Sequence, residues 1–261
     1  MKKIIIASAI ASAFAGQLVY AEDAAPAAAP APDHVVAFNV GVTNDYRFRG
    51  ISQTRMKPAI SAGADYTNTP TGLYVGTWGS NVEWLKDNTN DASDASLELD
   101  LYGGKRGEIN GVSYDVGLIR YYYPSNKFHL AGYPSANTTE AYGQLGYGPV
   151  YIKYSQSLTN FIGWANNTDG SNYIDIGANQ EIKDGYILNL HYGKQVVKNF
   201  TDAAGRTADY SDWKVGVTKD FGLAVVAVAV VGTNANKVVY DFSGRGYLGG
   251  TAGVVTVTKS F

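Results

Sequence analysis

The chain of 261 residues has no cysteine, which excludes a disulfide framework and any thiolate metal site. Charge is also scarce: charged residues make up 17% of the chain, against roughly a quarter in ordinary soluble domains. The formal net charge is −2, so there is no basic footprint for nucleic acid. No apolar run approaches the roughly 20 residues of a transmembrane helix. The Leu-rich stretches of a helical bundle are missing too, as are the hydrolase pattern G-x-S-x-G and the zinc pattern H-E-x-x-H. His34, His129 and His191 fall on separate segments. A serine partner for His191 would make a hydrolase, but a lone polar wall residue is the commoner role. Neither an enzyme nor a cofactor is expected.

What the chain does have is 45% hydrophobic residues, 30 glycines and 20 tyrosines, which sets it apart from disordered sequences. Lys2 and Lys3, the apolar run Ile4–Ala15 and the small-residue end Val19-Tyr20-Ala21 predict a secretory signal peptide over residues 1–21. Residues 22–33 are rich in Ala and Pro and predict a semi-rigid periplasmic tether.

From His34 to Phe261 the chain repeats a strand, a tight turn, a strand and a long polar loop. The clearest unit is Tyr173–Gln195. At a period of two, Ile174, Ile176, Ala178 and Ile182 share one side against Tyr173, Asp175, Gly177, Asn179 and Glu181. The second arm sets Tyr186, Leu188, Leu190 and Tyr192 against Asn189, His191, Gly193 and Gln195, with Asp184-Gly185 as the hairpin turn between them. Arms of about ten residues suit tilted strands that cross a bilayer. Short turns near 68–72, 107–111, 147–149, 183–185 and 219–222 alternate with long Asn-, Asp-, Ser-, Thr- and Gly-rich loops. That sorting predicts an all-β fold: a transmembrane antiparallel β-barrel of twelve strands over residues 34–261, both ends periplasmic. One segment breaks the pattern. Leu223–Val231 is apolar on both faces, and its expected inner set is Ala224, Val226, Val228 and Val230. These would meet a dry wall, a folded-in loop or a bulge.

Phase also gives the pore-lining candidates: Asn39, Ser61, Asp65, Glu98, Asp100, Lys153, Asp175, Asn179, Glu181, Asn189, His191, Gln195, Asp212 and Lys214. Their acidic excess predicts a weak cation preference, because carboxylates in a pore favour cations. Arg47, Arg49, Arg55 and Arg120 are placed near the mouth, where they either reverse that preference or pair with the same carboxylates. The acidic stretch Asp87–Asp94 has alternating oxygen ligands, as in a calcium loop. Ala92, however, stands where the sharp turn needs glycine, so a solvated loop is the better reading and no metal is expected.

Residues 39–54, NVGVTNDYRFRGISQT, resemble the opening motif of the TorF family of porin-like proteins. Residues 72–82 (GLYVGTWGSNV) and 116–124 (VGLIRYYYP) are similar to its later blocks. The resemblance implies an outer-membrane β-barrel with passive transport, and it assigns no substrate residues. Phe261 also resembles the aromatic end by which such barrels are recognised for assembly, although Lys259 departs from the apolar residue usual there. The expected function is a porin-like channel for small polar solutes or ions in a Gram-negative envelope, part-plugged by the loop Arg47–Lys57. Its partners are then outer-membrane lipid, the solute and the barrel assembly machinery. The alternative is a closed structural or adhesion barrel whose external loops do the binding.

Overall fold

The computed structural model describes residues 32–88, 95–241, 244 and 246–261. The signal peptide, the tether up to residue 31 and residues 89–94 of the acidic loop lie outside the described residues. The strands are β1 (His34–Thr43), β2 (Arg47–Phe48), β3 (Ile51–Ser52), β4 (Ala59–Asn68), β5 (Leu73–Asn81), β6 (Leu97–Ile109) and β7 (Val112–Tyr122). They continue as β8 (Thr138–Tyr147), β9 (Val150–Ser157), β10 (Asn172–Lys183), β11 (Tyr186–Val196), β12 (Tyr210–Asp220), β13 (Val225–Thr233) and β14 (Ala252–Ser260). The twelve long strands form one closed antiparallel barrel in which β1 pairs with both β4 and β14, while β2 and β3 make a separate two-stranded ribbon. Closure leaves no edge strand, so every ladder N–H and C=O is paired within the wall, as lipid requires.

The alternation of side chains decides which face is which. On β1, Val36, Phe38, Val40 and Val42 are exposed; on β10, so are Ile174, Ile176 and Ile182. Their neighbours in sequence point into the barrel. Exposed aromatics gather at two levels of the outer surface. Tyr66, Tyr147, Tyr186, Phe221 and Phe261 lie at the short-turn end, while Tyr122, Tyr154, Tyr192 and Trp213 lie toward the long loops. Between them runs a band of Val, Leu and Ile. Apolar bands bounded by aromatic girdles are the outer surface of a membrane barrel.

The short turns follow from glycine and asparagine chemistry. Asp184 and Gly185 have φ 51° and 75°, and Asn110 and Gly111 have 52° and 79°. Two positive φ values in succession match the right-handed twist of the flanking strands. The register of β10 on β11 shifts between Glu181 and Lys183. The shift follows Glu181, which still pairs with Ile187 on the face of Asn179 and Asn189 and is exposed at the short-turn rim, where its carboxylate accepts the Gly185 N–H at 3.1 Å.

One correction concerns β13. Val230 pairs with Val215 and Val228 with Val217, and all four belong to the exposed face. The inner set is therefore Val225, Ala227, Ala229 and Val231, one residue out of phase with the expectation. A strand apolar on both faces carries no phase of its own; register with β12 imposes it. Ala229 and Val231 pack with the fully buried Val254 of β14.

Inside the wall, tyrosines lie over glycines. Tyr102 faces Gly76, Tyr142 faces Gly117 and Tyr151 faces Gly177 across neighbouring strands. A Cβ at Gly76 would lie 2.5 Å from the Tyr102 ring. The inward tyrosines thus occupy space that only glycine vacates, which also shields otherwise bare backbone. The main apolar core sits not at mid-barrel but at the long-loop end, where Trp84, Leu85, Tyr123, Phe128, Phe161 and Tyr240 pack together with the ribbon residues Phe48 and Ile51.

Candidate functional site

The interior is polar. His191 on β11 bridges two carboxylates, with Nδ1 2.7 Å from Asp175 and Nε2 2.7 Å from Asp212. The Tyr173 hydroxyl donates to Asp212 at 2.9 Å. These partners are carboxylates and a phenol, not the serine a hydrolase would need. Around the wall, Tyr74 donates to Asp115 at 2.5 Å and contacts the Tyr142 hydroxyl, while Tyr102 donates to Asp65 at 2.7 Å. The Lys153 ammonium lies 4.3 Å from the Tyr142 ring centre. Toward the short turns, Asn189 bonds Asn179 at 2.8 Å and accepts from Thr218 at 2.7 Å.

At the long-loop end the segment after β1 turns inward. β2 and β3 pair as Arg47 with Ser52 and Phe48 with Ile51, around a turn at Arg49 and Gly50 with φ 47° and 79°. Asp45 organises the base of this ribbon, accepting from Arg47 Nε at 2.7 Å and from the Ser52 hydroxyl at 2.6 Å. Arg47 also donates to the carbonyls of Gly50 and Gly250, at 2.9 and 2.7 Å. The Tyr46 hydroxyl reaches Glu98 on β6 at 2.5 Å. At the tip, Arg49 spans the bore: it donates to Glu140 on β8 at 2.6 Å and to Gln195 on β11 at 2.7 Å. Its guanidinium also packs on the rings of Phe48 and Tyr173. Residues 45–54 are all buried. The ribbon tip lies close against the long-loop ends of β12 and β13, since a Cβ on Gly50 would lie 2.5 Å from the Thr233 methyl and 2.7 Å from Asp212 Cβ.

The wall holds most of the residues picked by phase. Asp65, Glu98, Asp100, Gln195 and Asp212 are inward and buried; Asn39, Ser61, Lys153, Asp175, Asn179, Asn189, His191 and Lys214 are inward and half-buried. Arg47 and Arg49 belong to the inward ribbon, and Arg55 pairs with Asp87 beside it. Asp87 is therefore engaged by a guanidinium at the start of the acidic loop. Arg120 is misplaced in the sequence reading. It shares the outward face with Val116 and Leu118, pairs across to Leu101 and donates to Thr139 at 2.8 Å. The same alternation that put Leu118 outside puts Arg120 outside, at the strand end where a cation can reach the headgroup level. Asp115 and Glu140 are inward residues that the sequence reading missed. Asp115 was readable between Tyr114 and Val116. Glu140 was not, because Thr139 and Ala141 give no apolar alternation around it.

A profile of bacterial proteins of unknown function, Gcw_chp, matches residues 27–261. The chain belongs to the Gcw_chp family. Among solved structures, this Gcw_chp barrel is similar to the KdgM porin in complex with disordered oligogalacturonate. The two share 8% identity at a TM-score of 0.52, over 87% of this chain and 99% of the porin. At that identity the likeness is one of fold: a closed twelve-stranded porin-like barrel. OprD of Pseudomonas aeruginosa matches at 11% identity and TM-score 0.42, over 87% of this chain and 66% of its own. LpxR from Salmonella typhimurium matches at 10% identity and TM-score 0.39, over 86% of this chain and 99% of its own. Comparison with curated proteins gives no match.

Proposed function

We propose that this protein is an outer-membrane channel through which small polar solutes or ions diffuse passively. The observation that carries the reading is the sidedness of the wall: a closed sheet, apolar with aromatic girdles outside and lined by carboxylates, lysines, amides and phenols within. The resemblance of residues 39–54 to the TorF opening motif supports it, and so does the fold shared with the KdgM porin. In this reading residues 1–21 are a signal peptide and 22–33 a tether. The short turns and both termini face the periplasm, and Phe261 engages the assembly machinery.

Transport is selection by size and charge. The ribbon 45–54 narrows the bore, and Asp65, Asp100, Asp115, Asp175 and Asp212 give the wall a weak preference for cations. The test is planar-bilayer recording of refolded mature protein in a potassium chloride gradient. Discrete steps with a reversal potential of cationic sign are expected. Steps with an anionic sign would remove the selectivity assignment. Absence of steps under all voltages would favour the second reading, a closed barrel whose long loops bind partners, for which the buried ribbon across the bore is the supporting observation.

A further inference from the structure

Arg49 sits in a place built by the wall, not by the ribbon that carries it. Gln195 Nε2 donates to the carbonyls of Asn172 and Val196, both at 3.0 Å, so its Oε1 is left for a donor from the bore. The Tyr173 ring is held by its hydroxyl, which donates to Asp212 at 2.9 Å. None of these three bonds involves the ribbon. Glu140 stands on β8, with β9 and β10 between it and Gln195, and is buried. Arg49 reaches both oxygens through two nitrogens of one plane, while its Cζ lies 4.4 Å from the Tyr173 ring centre and 5.6 Å from that of Phe161. A carboxylate, an amide oxygen and ring faces are the set a planar guanidinium takes; a compact ammonium has neither the span nor the face.

Arg49 fills this place at a cost to its own backbone and without exhausting it. Its φ of 47° is left-handed, as are those of Arg55 and Met56 further along the segment, at 55° and 57°. Side-chain-bearing residues are strained in that region. Glu140 meets Arg49 through Oε2, the same oxygen that the Tyr121 hydroxyl approaches at 3.4 Å. Its Oε1 is buried and has no hydrogen-bond partner among the described residues. A buried acceptor left unmet is unfavourable, and a guanidinium free of a backbone can turn to take both carboxylate oxygens.

We propose that the pocket formed by Glu140, Gln195, Phe161 and Tyr173 binds the guanidinium group of a solute, and that Arg49 is its tethered occupant. A solute carrying a guanidinium takes the place of Arg49, which frees the ribbon tip from β8 and β11. The displacement is driven by the better use of Glu140 and by relief of the Arg49 backbone, since a ligand shifts a conformation only through such differential contacts. The inference deepens the channel reading and rests on it only for the passage of that solute; the binding itself needs no conduction.

The test uses full mature protein in non-ionic maltoside micelles, with methylguanidinium as the probe and methylammonium as the control cation, both as chlorides at equal ionic strength. Calorimetric titration of Arg49→Ala should give saturable heat with methylguanidinium, at least tenfold tighter than with methylammonium. Adding Glu140→Gln to Arg49→Ala should remove it. In the parent protein the probe should raise hydrogen exchange across residues 45–54 once it exceeds the effective concentration of a tethered group, on the order of millimolar. Methylammonium should leave that exchange unchanged. Each variant is first checked for the heat-sensitive gel migration of a folded barrel; the exchange experiment needs no variant and decides the matter if Arg49→Ala does not fold. Absence of saturable heat in folded Arg49→Ala would overturn the proposal, as would equal binding of methylammonium, binding that survives Glu140→Gln, or unchanged exchange in the parent. Bilayer recording keeps the two readings apart: no current from protein that binds methylguanidinium would remove the channel and leave the site.

Discussion

Arg49 shows how much one side chain decides here. Its guanidinium, at the tip of the ribbon, joins β8 to β11 through Glu140 and Gln195. Removing one partner of a buried ion pair costs roughly 3–5 kcal/mol, because the other charge is left buried and unmet. In Arg49→Ala the unmet charge is that of Glu140 on β8, while the backbone ladder of the twelve strands keeps all its partners. We expect a folded barrel with larger single-channel conductance than the parent; an unchanged conductance would show that the ribbon does not limit the bore. A surface carboxylate gives a contrasting case. Asp202 accepts backbone N–H bonds from Arg206 and Ala204, each 2.9 Å, and pairs with Arg206 Nε at 2.6 Å. The Arg206 N–H first, then its guanidinium, hold the Asp202 carboxyl below its ordinary value. A depressed folded value means the turn is supported above the ordinary carboxylate range and loses support as pH falls through the folded value. Hydrogen exchange at Ala204 and Arg206 should therefore lose protection on acidification beyond the intrinsic pH effect, and Asp202→Asn should abolish that dependence.

At the scale of elements, turns and strand phase carry the argument. The Asp184-Gly185 turn was readable because positive φ at both positions restricts the residues that fit. Gly185→Val should cost about 1–2 kcal/mol, the usual penalty for left-handed backbone in a side-chain-bearing residue, read as a shift in the urea unfolding midpoint. The β13 strand was readable as a strand but not in phase, because valine and alanine occupy both faces and only the pairing with β12 separates them. A pair of arginines tests the register. Val228→Arg on the lipid side should destabilise by roughly 2–4 kcal/mol near mid-bilayer, and Ala227→Arg, pointing into the polar interior, by clearly less. The reverse order in denaturant unfolding in lipid would return the strand to the opposite phase.

For the whole molecule, closure turns a chain short of charge and helix into a wall with two solvents. The alternation of ten-residue segments, the sorting of loops by length and the aspartate-glycine and asparagine-glycine turns are local, so the strand count, the barrel and most of its inward residues were determined by sequence alone. Partners distant along the chain were not. That Arg49 meets Glu140 and Gln195, and that the ribbon packs among aromatic loop residues, depend on what stands across the bore, whereas His191 lies between Asp175 and Asp212 through the register of the neighbouring strands β10 and β12. Alternation tells a residue which side of the sheet it is on, because the pleat has a period of two. It says nothing about what stands opposite, since that distance is set by closing twelve strands into one ring, and only the tertiary structure fixes it.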